Sequence, residues 1–169
     1  MENDQLPVVD FLSKPETYGE HCLKVERIET HISEIFLIGN RAYKLKRAVQ
    51  FPYLDFGTPE KRRIACDAEG TINRRTAPQL YLGVKSVVCQ EDGTLALDGE
   101  GEVLDWVVEM KRFDQASLFD RLALKGSLDR QIMEELADAI AAFHDLAEPV
   151  FKAGGLGGGF QIGLIGFLF

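Results

Sequence analysis

Apolar and polar residues alternate along residues 24–30 (KVERIET), the pattern of a strand with one face buried. A more apolar stretch, residues 34–39 (EIFLIG), predicts a second strand, and Gly39-Asn40 then supplies turn chemistry because both residue types tolerate positive φ. Residues 42–49 (AYKLKRAV) alternate again with period two. The pattern is that of antiparallel strands joined by short turns. Ahead of them, residues 1–23 read as a polar extension.

Pro52 and Thr58-Pro59 mark a break. Thr58 is placed to cap a helix whose first residue is Pro59, with Glu60 favourably positioned in the first turn. The helix runs to about Arg75, with Ile64, Ala65, Ala68 and Ile72 on one face, and Pro78 stops it. Gly70 lies inside it, at a cost of about 1 kcal/mol relative to alanine. Residues 80–89 read as a strand, Glu91-Asp92-Gly93 as a hairpin turn and residues 94–97 as a short return strand. Residues 102–111 (EVLDWVVEMK) form a further strand whose apolar centre suits the middle of a sheet. A short helix at 116–124 follows, then a long amphipathic one capped by Ser127 and ended by Pro149. Its stripe of Ile132, Leu136, Ala139, Ile140 and Phe143 reads most simply as core packing. Strands, helix, strands, helices is an α+β order.

Composition narrows the class. The chain has 169 residues, 46% apolar and 27% charged, which excludes a disordered, collagenous or disulfide-scaffold protein. A net charge of -8 disfavours nucleic acid as a partner. Yet residues 41–85 hold ten basic and four acidic groups, a net of +6, and leave -14 to the remainder. Such a block fits a local anion site or a set of solvated faces. Cys22, Cys66 and Cys89 form no CxxC pair, and His21, His31 and His144 complete no zinc spacing. With no basic-then-apolar leader and no apolar run of about 20 residues, a cytoplasmic location is expected.

Residues 150–169 differ abruptly. From residue 153 onward no charge occurs, and seven of the last sixteen residues are glycine. The stretch meets no G-x-G-x-x-G spacing and has no Walker lysine. It lacks the flanking cations of a membrane-surface segment, so membrane contact is not expected. The preferred reading is a truncated or out-of-frame end.

Chemistry concentrates between residues 30 and 75. A strand carrying a lysine, followed by a helix carrying a glutamate, is how kinases hold nucleotide phosphates. Lys44 sits in an A-x-K strand pattern, with Lys46 on the same face as runner-up. Glu69, midway along the following helix, is the natural partner. The bland alternative makes the lysines a solvated strand face and Glu69 a surface residue.

These residues resemble a known family. Residues 29–49, then Leu54-Asp55-Phe56 with residues 60–63, then 73–78 (NRRTAP) and 110–113 (MKRF), look like the aminoglycoside phosphotransferase-like kinase domain. More narrowly, they resemble the version found N-terminal to a P-loop ATPase domain in bacterial two-domain proteins. The similarity spans roughly residues 8–147. It implies a kinase-like N-lobe over residues 24–113, a five-stranded antiparallel sheet plus one helix, and a partial helical C-lobe over 114–149. It implies that Lys44 meets ATP phosphates, that Glu69 positions it, and that Thr30, His31 and Ser33 belong to the turn covering the phosphates. The backbone of Glu109 and Met110 would read the adenine edge at the hinge. The acceptor would be a small hydroxylated molecule.

Phosphoryl transfer in such a fold also needs an aspartate to accept the proton, and an asparagine and aspartate for magnesium, all after the long helix. Here no asparagine follows that helix and no aspartate follows Asp145. The expectation is a fragment of an ATP-dependent phosphotransferase with no metal ligands, weak or lost ATP affinity and no turnover of its own. The alternative is a non-catalytic nucleotide-binding or protein-interaction module.

Overall fold

The computed structural model describes residues 5–19, 24–114 and 118–146. They fall into two compact units that meet in sequence between Arg112 and Phe113.

The first unit is built on six strands: β1 (Glu26–Glu29), β2 (Ser33–Ile38), β3 (Arg41–Lys46), β6 (Tyr81–Cys89), β7 (Leu95–Leu97) and β8 (Glu102–Lys111). They form one sheet in the order β1-β2-β3-β8-β6-β7. Every pairing in it is antiparallel. Gly39 makes the β2–β3 turn at φ +53°, a conformation glycine reaches without a Cβ clash. A small hairpin of β4 (Gln50–Phe51) and β5 (Leu54–Asp55) follows β3, with Pro52 in its turn. Helix α2 (Pro59–Asn73) comes next, capped by the Thr58 hydroxyl, which accepts from Lys61 N. The architecture is α+β.

Two layers cover this sheet. On one face Phe36, Ile38, Tyr43, Leu45, Val87 and Val107 pack with Val8, Val9 and Leu12. Those last three belong to α1 (Leu6–Leu12), which is followed by a 3-10 turn at Pro15–Tyr18. The described part of residues 1–23 is therefore core structure, not a polar extension. Apolar residues at 8, 9 and 12 share one helical face, and Pro7 opens the first turn. On the other face Ala42, Lys44 and Lys46 of β3 alternate with Tyr43 and Leu45 and look toward α2. Five of the six β3 positions are buried, because both faces are covered.

Several expectations are corrected. β1 is exposed at all four positions, since it is the edge strand and carries charge on both faces. β3 stops at Lys46, where the chain turns toward the β4–β5 hairpin. The inward face of α2 consists of Arg62, Ala65, Cys66, Glu69, Gly70 and Asn73. Of the expected apolar face Ala65 is buried, but Ile64 is 63% exposed and Ile72 37%, so its two largest members point outward. The reason is that this helix is anchored by polar groups.

The second unit holds α3 (Phe119–Leu124) and α4 (Arg130–Asp145). The cap of α4 is Asp129, whose carboxylate accepts from Ile132 N, rather than Ser127. Among the described residues the stripe expected as core is not buried: Ile132, Leu136 and Phe143 are half-buried, and Ala139 and Ile140 are exposed. The expected start of α3 at residue 116, Pro149, His21, Cys22 and the glycine-rich stretch lie outside the described residues. No helix among the described residues is long and apolar enough to cross a membrane.

Candidate functional site

β3 and α2 bring three ionised side chains together beneath the surface. Lys44 Nζ donates to Glu69 Oε1 at 3.1 Å, and Lys46 Nζ donates to Glu69 Oε2. Lys44 and Lys46 are two residues apart on a strand and so share a face. Glu69 lies on the inward face of α2 and inserts its carboxylate between the two ammonium groups. Side-chain exposure is 7% for Lys44 and 5% for both Lys46 and Glu69. A buried charge costs several kcal/mol unless it is paired. Here two cations share one anion, leaving a formal surplus of one positive charge.

The ionisation behaviour follows. Burial lowers the pKa of Lys44, with Lys46 adding to the effect and Glu69 opposing it. Burial alone would raise Glu69, but the two ammonium groups outweigh it and hold the carboxyl below its ordinary value. Lys46 also lies 5.6 Å from the centre of the Phe56 ring, a favourable cation–π placement. Tyr81, whose hydroxyl accepts from Asn73 Nδ2 at 2.9 Å, is pushed up to about 12 by burial and by the Glu69 charge. Cys66 is likewise pushed up to about 12, chiefly by burial.

A second buried pair flanks the first. Arg62 Nε donates to Asp105 Oδ1 at 2.7 Å, and Arg62 Nη1 donates to Phe56 O at 2.9 Å. Asp105 Oδ2 accepts from Gln5 Nε2 at 2.7 Å. Arg62 and Glu69 stand seven residues apart on α2, so one face of that helix carries both anchors. Sequence reasoning missed Gln5, Arg62 and Asp105. The one available signal was Asp105 itself, an acid inside an otherwise apolar strand centre, which needs a buried partner.

The β1–β2 turn holds the other residues of interest. Thr30 N and Thr30 Oγ1 both donate to Ser33 O, and Ser33 N donates back to Thr30 Oγ1 at 3.0 Å. Thr30 is thereby spent on the turn itself. His31 is exposed, its ring centre 6.5 Å from that of Phe51. Ser33 pairs with Lys46 across the β2–β3 ladder, so its side chain shares the lysine face. Its hydroxyl is buried with no hydrogen-bond partner among the described residues.

Glu109 and Met110 lie elsewhere. Both are inside β8, paired with Tyr43 and Ala42 of β3 on one edge and with Gly83 and Tyr81 of β6 on the other. Both residues thus stand within the sheet, with a register irregularity on the β6 side between Tyr81 and Gly83, rather than beyond the end of a strand. The Glu109 carboxylate accepts from Tyr43 Oη at 3.2 Å and lies 3.7 Å from Arg41 and 3.9 Å from Lys85.

Among the described residues no group of three or more His, Cys, Asp or Glu side chains converges as a metal site would. What β3 and α2 define is a buried pair of lysines held by one glutamate in an α+β sheet domain. The chain is similar to uncharacterized proteins of Mycobacterium bovis and of two strains of Mycobacterium tuberculosis, 31% identical to each over 120 residues. The match covers 71% of this chain but 22% of each relative, so the chain spans about a fifth of the length of the curated relatives it matches. No family model and no solved structure matches it.

Proposed function

We propose that residues 24–112 form the nucleotide-holding lobe of a kinase-like, aminoglycoside phosphotransferase-type domain, and that Lys44 and Lys46 bind the phosphates of ATP. The observation that carries this reading is the buried Lys44–Glu69–Lys46 cluster. Its lysines stand on the third strand of the sheet and its glutamate on the helix of the same lobe, the arrangement by which kinases hold α/β phosphates. A lysine acts on phosphate as a point charge, and a glutamate beside it fixes where that charge sits. The surplus positive charge and the unpartnered Ser33 hydroxyl fit an anion with several acceptor oxygens. The strand order is compatible with the reading: the antiparallel sheet β1-β2-β3-β8-β6-β7 contains the five strands such a lobe needs, extended by β7, with α2 on the lysine face and α1 covering the other.

Transfer to an acceptor requires a proton-accepting side chain and metal ligands, and no step of transfer is assigned to these residues. ATP binding is the activity proposed for this chain. Transfer to a small hydroxylated acceptor is proposed for the longer protein of which such a lobe is part. A thermal-shift titration with ATP tests it. Stabilisation at millimolar ATP is expected, reduced in Lys44→Ala and in Lys46→Ala. No shift in the wild-type chain would instead favour a protein-interaction module.

A further inference from the structure

The end of β3 is held by a side chain rather than by a strand. The last β3–β8 pair is Leu45↔Val107, so Lys46 has no β8 partner. Arg47 N turns toward β2 and donates to Ile32 O at 2.9 Å. The backbone groups of Lys46 and Ala48 therefore face the opposite edge, where the ladder has ended. Gln5 fills that edge. Its Nε2 donates to Lys46 O at 2.9 Å, and its Oε1 accepts from Ala48 N at 2.6 Å. Accepting from one residue and donating to the residue two before it is what a strand neighbour does. The second Nε2 proton goes to Asp105 Oδ2, and Asp105 in turn takes Arg62 of α2. Every hydrogen-bonding group of one buried primary amide is used.

From this geometry we infer that Gln5 is a positioning residue for phosphate binding: it locks the backbone of Lys46 to the helix that carries Glu69. The inference rests on the proposed function for its ligand, and on the structure alone for its mechanism. Losing the amide frees the Lys46 carbonyl and the Ala48 N–H from a buried edge and leaves Asp105 one donor short. The strand end then relaxes, and the Lys46 ammonium loses its fixed place between Glu69 and an incoming anion. Lys44 is unaffected in the first instance, because Ile35 and Val108 still flank it in the sheet.

The test uses the 169-residue chain with Gln5→Met, which keeps the side-chain length, and Gln5→Glu, which keeps an acceptor for Ala48 N but removes both donors. Pulse acetylation read by mass spectrometry reports each lysine separately. In both variants Lys46 is expected to label about tenfold faster while Lys44 changes by less than about twofold, the size of one to two lost hydrogen bonds. Calorimetry with pyrophosphate as the probe should show about tenfold weaker binding in Gln5→Met, and no further loss when Gln5→Met is added to Lys46→Met. Unchanged Lys46 labelling, both lysines accelerating together, or an undiminished Gln5→Met effect in the Lys46→Met background would each overturn the inference. If the wild-type chain binds neither ATP nor pyrophosphate, the functional reading fails, and the labelling experiment still decides whether Gln5 holds Lys46.

Discussion

Replacing Glu69 by glutamine changes shape little and charge decisively. The glutamate accepts from two ammonium groups, each donor and the acceptor being at least nine-tenths buried. A glutamine can offer its oxygen to one lysine only, and its amide hydrogens then face the other. Removing one partner of a buried ion pair costs about 3–5 kcal/mol, because the remaining charge is left unpaired. A domain of this size has about 5–15 kcal/mol in total, so the loss would be large. Urea unfolding followed by the fluorescence of the single tryptophan, Trp106 in the central strand β8, measures it.

The pH dependence of the difference adds a second constraint. Lys44 titrates below its ordinary 10.5 in the folded state, so the unfolded chain binds more protons there. Without Glu69 the lowering deepens, and the stability of Glu69→Gln should rise as pH climbs from 7 toward 10. On the acid side Glu69 titrates below its ordinary 4.5, so its contribution is full above that value. That contribution is lost as pH falls through the lowered folded value, and only the wild type has it to lose. The penalty of Glu69→Gln should therefore be greatest near neutrality and shrink toward both extremes. Adding Lys46→Met to Glu69→Gln removes one orphaned charge and should recover part of the loss. A neutral-pH penalty below about 1 kcal/mol, or one flat from pH 4 to 10, would mean that Glu69 does not hold two buried ammonium groups.

Three further outcomes are expected. Gly70 sits inside α2 with nothing near the position a Cβ would take, so Gly70→Ala should stabilise by about 0.5–1 kcal/mol in the same unfolding experiment. Gly101 adopts φ +145°, and a Cβ there would run into the carbonyl of Cys89, so Gly101→Ala should destabilise by about 1–3 kcal/mol, read as a lower melting temperature. Burial holds the Cys66 thiol at about 12, so native-state alkylation at pH 8 mapped by mass spectrometry should spare Cys66 and label the half-buried Cys89.

The sequence made the sheet legible where local pattern and burial agree. Strands β2, β3, β6 and β8 fall close to the expected stretches, and Thr58-Pro59 opens α2 as its capping chemistry implies. Lys44, Lys46 and Glu69 could be singled out from strand and helix spacing, and the structure sets them in one cluster. The orientation of α2 was not legible. Ile64 and Ile72 form its most apolar stripe yet point outward, while Arg62, Glu69 and Asn73 point inward because their partners come from β3, β5–α2 and β6–β8 segments. Gln5 carried no local signal, since it bonds to residues 41 and 100 positions away. Thr30 and Ser33 do lie in the expected β1–β2 turn, where Thr30 also closes the turn, while Glu109 and Met110 stand within β8 with partners on both edges. For α2 and Gln5 the deciding contact is long-range.

The most direct measurement of the central claim is isothermal calorimetry of ATP against the wild-type chain, Lys44→Ala and Lys46→Ala, at low and moderate salt. Saturable binding in the wild type, weakened by each substitution and by added salt, is the result expected if the lysine pair holds phosphate. No binding in the wild type, or binding indifferent to both substitutions, would contradict it.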